Sequence, residues 1–208
     1  NVHFKTLIQS GEVYLENTRF KYVFYDVNKL HEIHHLEHEQ KMFFNPFDHF
    51  IDAYAYDVNF IGANEKSLLK GGKKQTYHHN YFLGNNNENW ASNVSVFHEV
   101  LYSELYDGID LRVYSQNSLF KYDFIVEKNS DVTQIKLNYN HVNDIKIING
   151  SLHISLEFNT IVEKKPYAYQ IHNGKKHQVP CEYRLDNNIL SFFFPNGYDK
   201  SKDLIIDP

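Results

Sequence analysis

Between Phe120 and Pro208 the chain runs through short stretches of alternating apolar and polar residues, and turn dipeptides interrupt them. In an extended backbone Phe120, Tyr122, Phe124 and Val126 point one way, and Lys121, Asp123 and Glu127 the other. Ile135, Leu137 and Tyr139 repeat the pattern. Asn149-Gly150 divides Ile145-Lys146-Ile147 from Leu152, Ile154, Leu156 and Phe158, and Asn173-Gly174 divides Tyr169-Gln170-Ile171 from residues 175–179. Asn-Gly is the strongest short hairpin signal, because a type I′ turn needs positive φ at both central residues. Asn187-Asn188 plays the same part before Ile189 to Phe194. Consecutive hairpins with one face dry and one wet imply an antiparallel sandwich or barrel. The expected fold is all-β, an antiparallel β-sandwich of successive hairpins. It is read as one module over 1–208, with lobes 1–115 and 116–208 as the alternative. Sixteen Tyr and sixteen Phe against one Trp and one Met suit that fold, since flat rings pack well on a pleated surface.

The first half carries weaker signals of the same kind. Val13 and Leu15, then Phe20, Tyr22 and Phe24, alternate across a turn at Glu16-Asn17-Thr18, which predicts a hairpin. Residues 30–50 read as a His/Glu- and aromatic-rich insertion loop, with 51–60 as the next strand. There Ala53, Ala55 and Asp57 are assigned to one face and Tyr54, Tyr56 and Val58 to the other. Gly62 to Gln75, containing Gly71-Gly72, reads as a long turn-rich connection. Val94 to Tyr102 and Ile109 to Tyr114 are strands around a turn at Tyr106-Asp107-Gly108. The spacing shows no repeat of propeller or solenoid period.

A net charge of −5 argues against nucleic acid, whose phosphates call for a basic face. The pairs Lys73-Lys74, Lys164-Lys165 and Lys175-Lys176 read as solvated turns. Cys181, the sole cysteine, admits no intrachain disulfide. Alternation places it opposite Glu182 and inward, as a buried structural thiol. No apolar run is long enough to span a bilayer, and no signal peptide is visible. The start at Asn1 without an initiator Met fits removal of an upstream segment, and the final Asp-Leu-Ile-Ile-Asp-Pro reads as the edge of a module within a longer protein.

Candidate chemistry is sparse. His31-Glu32-Ile33-His34-His35 matches H-E-x-x-H, which on a helix sets His31 and His35 as zinc ligands with Glu32 as general base. A segment this rich in His and Glu yields the pattern by chance, and only Ile33 and Leu36 could anchor such a helix. A zinc-dependent hydrolase is therefore the weakest of three readings. Adventitious divalent metal binding by His31, His34, His35 and His38 needs less, because spacings of three and four stack imidazoles on a helix. No resident cofactor is expected. Asp107-Gly108-Ile109-Asp110 offers oxygen ligands without the spacing of a calcium loop, so turn formation explains it better. Glu99 and Glu104 would serve as a glycosidase pair only at the right separation. There is no G-x-S-x-G elbow and no phosphate-cradling glycine loop. Trp90, in an Asn-rich loop, is the one candidate ligand-binding residue, as part of a sugar-stacking platform.

Several phrases, taken in order, carry a family resemblance: Val58-Asn59-Phe60-Ile61-Gly62-Ala63-Asn64, Asn80-Tyr81-Phe82-Leu83-Gly84-Asn85, Trp90-Ala91-Ser92-Asn93-Val94, Leu105-Tyr106-Asp107-Gly108-Ile109-Asp110-Leu111, Lys121-Tyr122-Asp123-Phe124-Ile125-Val126, Pro166-Tyr167-Ala168-Tyr169-Gln170 and Leu204-Ile205-Ile206-Asp207-Pro208. The chain resembles, over its whole length, a bacterial domain of unknown function found near the N-terminus of large secreted surface proteins. In those proteins SBBP-type β-propeller repeats, PKD domains and a type IX sorting domain follow. The resemblance implies an extracellular or cell-surface location, sometimes with adhesion or gliding, and no established catalytic residues. It implies a variable His- and Glu-rich insert where 30–40 stands, and Asp107 stands where the family tends to have Pro. The family's usual opening is missing before Asn1. The expected function is a non-catalytic structural or interaction module whose partners are the downstream repeats of its own polypeptide. The alternative is a carbohydrate- or glycoprotein-binding domain using Trp90 and exposed Tyr.

Overall fold

The structure, a computed structural model, describes residues 1–29, 31, 32, 35, 50–82, 84–116, 119–157 and 159–208. Among the described residues seventeen strands, numbered along the chain, form three sheets with every pairing antiparallel. The first sheet runs β1 (Val2–Ile8), β2 (Gly11–Glu16), β3 (Arg19–Tyr25), β4 (Ala53–Phe60), β9 (Leu137–Asn140), β16 (Ile189–Phe193) and β15 (Glu182–Asp186). The second runs β14 (Lys175–Val179), β13 (Tyr167–His172), β17 (Leu204–Asp207), β8 (Leu119–Val126), β7 (Ile109–Gln116), β6 (Ala91–Tyr106) and β5 (Leu68–Tyr81). A small third sheet holds β10 (Asp144–Ile148), β11 (Ser151–Ser155) and β12 (Thr160–Glu163). Both large sheets take strands from either side of Ser115.

The two large sheets face each other across a core of rings, a sandwich as the alternation predicts. Val13, Leu15, Phe20, Tyr22, Phe24, Tyr56, Val58 and Phe60 are buried on the first sheet, and Tyr122, Phe124 and Val126 on the second. Phe20 sits at the centre. It meets Phe60 of its own sheet edge-on at 4.9 Å, and Tyr102 and Tyr122 of the opposite sheet at 6.1 and 5.7 Å. Phe124 meets Phe192 across the gap at 5.9 Å. Edge-to-face contacts set the positive rim of one ring against the negative face of another, which adds about 0.5–1.5 kcal/mol per pair beyond area burial.

The Asn-Gly turns are where alternation placed them. Asn149 and Gly150 have φ of 52° and 82°, and Asn173 and Gly174 have 51° and 73°. Asn187, at φ 52°, opens the next hairpin. Cys181 is buried beside exposed Glu182, as expected.

Other expectations change. The predicted connection from Gly62 to Gln75 is in its second half a strand, since β5 begins at Leu68. Gly71 and Gly72 lie inside it because the side chains of Phe97 and Glu99 occupy the space where their Cβ atoms would be. Lys73-Lys74 and Lys175-Lys176 are therefore in strands, not turns. β11 stops at Ser155, where the Leu156 N–H bonds the Asn159 carbonyl at 2.8 Å. Asp123, on the polar side of its alternation, and Asp57, on the face opposite Tyr56 and Val58, are buried because neighbouring cations close over them: Lys21 and Arg19 stand 3.0 and 3.8 Å from Asp57, and Arg112 pairs with Asp123. Of the insertion at 30–50, only 31, 32, 35 and 50 lie among the described residues.

Candidate functional site

β5 and β6 are the two longest strands, of 14 and 16 residues, and they outrun the sandwich. No described residue between Lys70 and Glu99 is buried. This stretch pairs chiefly with itself and forms a hairpin arm. β1 touches it at two points: Phe4 meets Phe97 edge-on at 5.8 Å, and nearer the tip the Lys5 ammonium lies 5.4 Å over the Tyr81 ring. Two register shifts re-aim the strands, one between Lys74 and His78 and one between His79 and Tyr81. At the second, Asn93 adopts φ 57° and its N–H bonds the Asn80 side-chain oxygen at 2.9 Å. Bulges of this kind twist a ribbon and turn side chains to a new direction.

The outcome is a line of rings on one face of the arm. Tyr77, His79 and Tyr81 share a face by their spacing of two, with centroids 6.0 and 6.1 Å apart. Tyr77 is 55% exposed. At the tip, Phe82 and Trp90 are 63% and 45% exposed and pack edge-on at 5.4 Å. Trp90 is held in place: its indole N–H donates to the Gly84 carbonyl at 3.1 Å. Asn86 caps the short 3-10 turn Asn87–Asn89 by accepting the Glu88 N–H at 3.0 Å, which sets the backbone that carries the indole. Tyr and Trp offer wide, rigid contact area, and the surrounding Asn and Ser supply adaptable hydrogen bonds, the composition that suits recognition surfaces.

Polar groups elsewhere are engaged in structure. Glu99 accepts Lys73 at 2.9 Å. Glu104 takes φ 53°, gives its N–H to the Asp110 carboxylate at 2.7 Å and accepts the Gly108 N–H at 3.3 Å. Both carboxylates of the imagined glycosidase pair thus close local contacts. Asp110 shapes the bend before its turn, and the Asp107 carbonyl accepts Gln134 at 3.0 Å. Burial pushes the Cys181 thiol up to about 12, so the nucleophilic thiolate is scarce near neutral pH.

Of the predicted site residues, Trp90 stands exposed on the arm. His31 and His35 are exposed and helical, while His34 and His38 lie outside the described residues. Among the described residues no group of three His, Cys, Asp or Glu side chains is placed to hold a metal ion. Sequence reasoning missed Tyr77, His79, Tyr81 and Phe82. The signal was there: from Thr76 to Tyr81 a ring stands at every second position, with no apolar residue between them to supply a second dry face.

The family model for a domain of unknown function, DUF7948, matches residues 1–208. The chain belongs to that family. No curated protein and no solved structure matches it. The aromatic arm is thus a feature of this DUF7948 domain read from its own residues. No helix among the described residues of the domain is long and apolar enough to cross a membrane.

Proposed function

We propose that this DUF7948 domain is a non-catalytic structural and interaction module of a large secreted or cell-surface bacterial polypeptide. In that setting it stands ahead of repeat domains, of the kind the ordered sequence phrases imply, and takes part in adhesion or surface assembly. The observation that carries the reading is the contrast between interior and arm. Core rings join the two sheets, and Asp57 and Asp123 are tied to cations of their own sheet, while Tyr77, Phe82 and Trp90 stay exposed on a hairpin outside the core. Exposed rings on one projecting hairpin favour contact with another molecule.

A second reading, binding of a surface carbohydrate or glycoprotein, is favoured by Trp90, whose indole is fixed at its N–H edge with its body exposed. Aromatic faces and adaptable amides suit the apolar faces and hydroxyl rims of sugars. Deleting the domain from its parent should impair surface attachment and leave any hydrolytic activity of the parent intact; loss of a defined hydrolysis overturns the non-catalytic reading. A glycan array with the domain and with Trp90→Ala separates the two partners. A Trp90-dependent signal supports sugar binding, and a blank array removes it.

A further inference from the structure

The small sheet carries a carboxyl into the core. Along β12, Ile161 and Glu163 share a face, and across the ladder they stand opposite Ile154 and Leu152, which are both fully buried. Val162 between them is 50% exposed, so the strand turns its charge inward and its valine outward. Glu163 as a residue is half-buried, and its carboxyl reaches in among buried tyrosines. Tyr122 on β8 and Tyr139 on β9 direct their hydroxyls to it at 3.4 Å, so it touches both large sheets at once.

The groups facing it are phenols. Tyr22 on β3, Tyr56 on β4 and Tyr183 on β15 are near enough to feel its charge. Cys181 and Asp207 act on Tyr183 in the same way. Among the described residues no basic side chain pairs with Glu163. The Tyr183 hydroxyl is itself buried without a hydrogen-bond partner. An ionised carboxylate here has two long bonds and no counter-charge, whereas the protonated acid needs none.

We infer that Glu163 is a proton-operated latch: the β10–β12 sheet is held against the sandwich while this carboxyl is protonated, and loosens as it ionises. Ile145, Leu152, Ile154 and Leu156 supply the apolar contact of that sheet with the common core, so the latch acts on a docked layer and not on a loop. Burial raises the Glu163 pKa from 4.5 to about 7, and the tyrosine hydroxyls offset part of that rise. The sign follows. Between those two values the docked form holds a proton that the released form gives up, so release is favoured as pH rises. Below 4.5 both forms are protonated, and well above 7 the full effect is reached.

Amide exchange of Ile145, Leu152 and Ile154, corrected for intrinsic rates, tests this. Between about pH 5.5 and about pH 8.5 the protection of these amides should fall roughly 30-fold in the wild type. In Glu163→Gln, which mimics the neutral acid, it should stay flat. Constant wild-type protection, or the same fall in Glu163→Gln, overturns the latch. Should that variant not fold, carboxyl-carbon NMR of the wild type decides the matter: a Glu163 midpoint near 7 supports the latch, and one near 4.5 sinks it.

Discussion

Gly71 lies under the ring of Phe97, so close that a Cβ built on the glycine would stand 2.6 Å from both Cγ and Cδ1 of that ring. Phe4 packs edge-on against the same ring at 5.8 Å and limits how far it can shift. Gly71→Ala should therefore destabilise the domain by about 1–3 kcal/mol, the range for forced overpacking. Urea denaturation measures it, and Phe97→Leu in the same chain should recover much of the loss. An unchanged midpoint for the single variant would contradict the close contact.

Asp123, 3% exposed, accepts Arg112 at one oxygen and the Tyr114 hydroxyl at the other, 3.1 Å away. Burial, and then the Asp123 charge, raise the Tyr114 pKa well above its ordinary value. Asp123→Ala leaves the phenol without its acceptor, but the Arg112 side chain is 37% exposed and its guanidinium still lies 5.0 Å over the Tyr114 ring. The expected loss is about 1–3 kcal/mol, below the range for stranding a fully buried charge. Thermal unfolding at neutral pH checks it. A loss well above that range would mean that water does not reach Arg112.

Cys181 is 3% exposed, and burial holds its thiol up near 12. Since only the thiolate attacks, the folded domain should resist a thiol-specific disulfide reagent at mildly alkaline pH and react fully once unfolded in urea. Rapid labelling of the native protein would place this thiol at a reactive surface instead.

Trp90 is the only tryptophan in the chain and is 45% exposed, so tryptophan emission, excited beyond the tyrosine absorption band, reports the arm. Native emission should lie close to that of the unfolded chain, and iodide should quench it. Trp90→Phe should change stability by no more than about 0.5 kcal/mol, as surface substitutions do. A blue-shifted, unquenchable signal would show the tip covered.

Much of the fold is legible in the residues. The Asn-Gly dipeptides mark turns because few other pairs tolerate left-handed backbone at both positions. Phe120 to Val126 declares a strand because a period of two has one burial solution. Gly71-Gly72 misleads, since glycine signals a turn and a close approach equally well, and only the position of Phe97 separates the two. Trp90 was visible as a lone indole among asparagines. Tyr77 and Tyr81 carried only the weak signal of alternate rings with no apolar residue between them, because an exposed tyrosine and a core tyrosine look alike in a chain with sixteen of them.

Local chemistry therefore determined the strands, the turns and the inward face of each clear alternation, all of which depend on neighbours close in the chain. Tertiary structure decided the rest. It joins β4 to β9 and β9 to β16 across long stretches of sequence, and it leaves the outer half of the β5–β6 hairpin without a covering layer. It also sends Glu163 rather than Val162 into the tyrosine layer. In Thr160-Ile161-Val162-Glu163 either face could turn inward on its own, because burial is a property of what packs against a strand, and the register with Leu152 and Ile154 makes that choice.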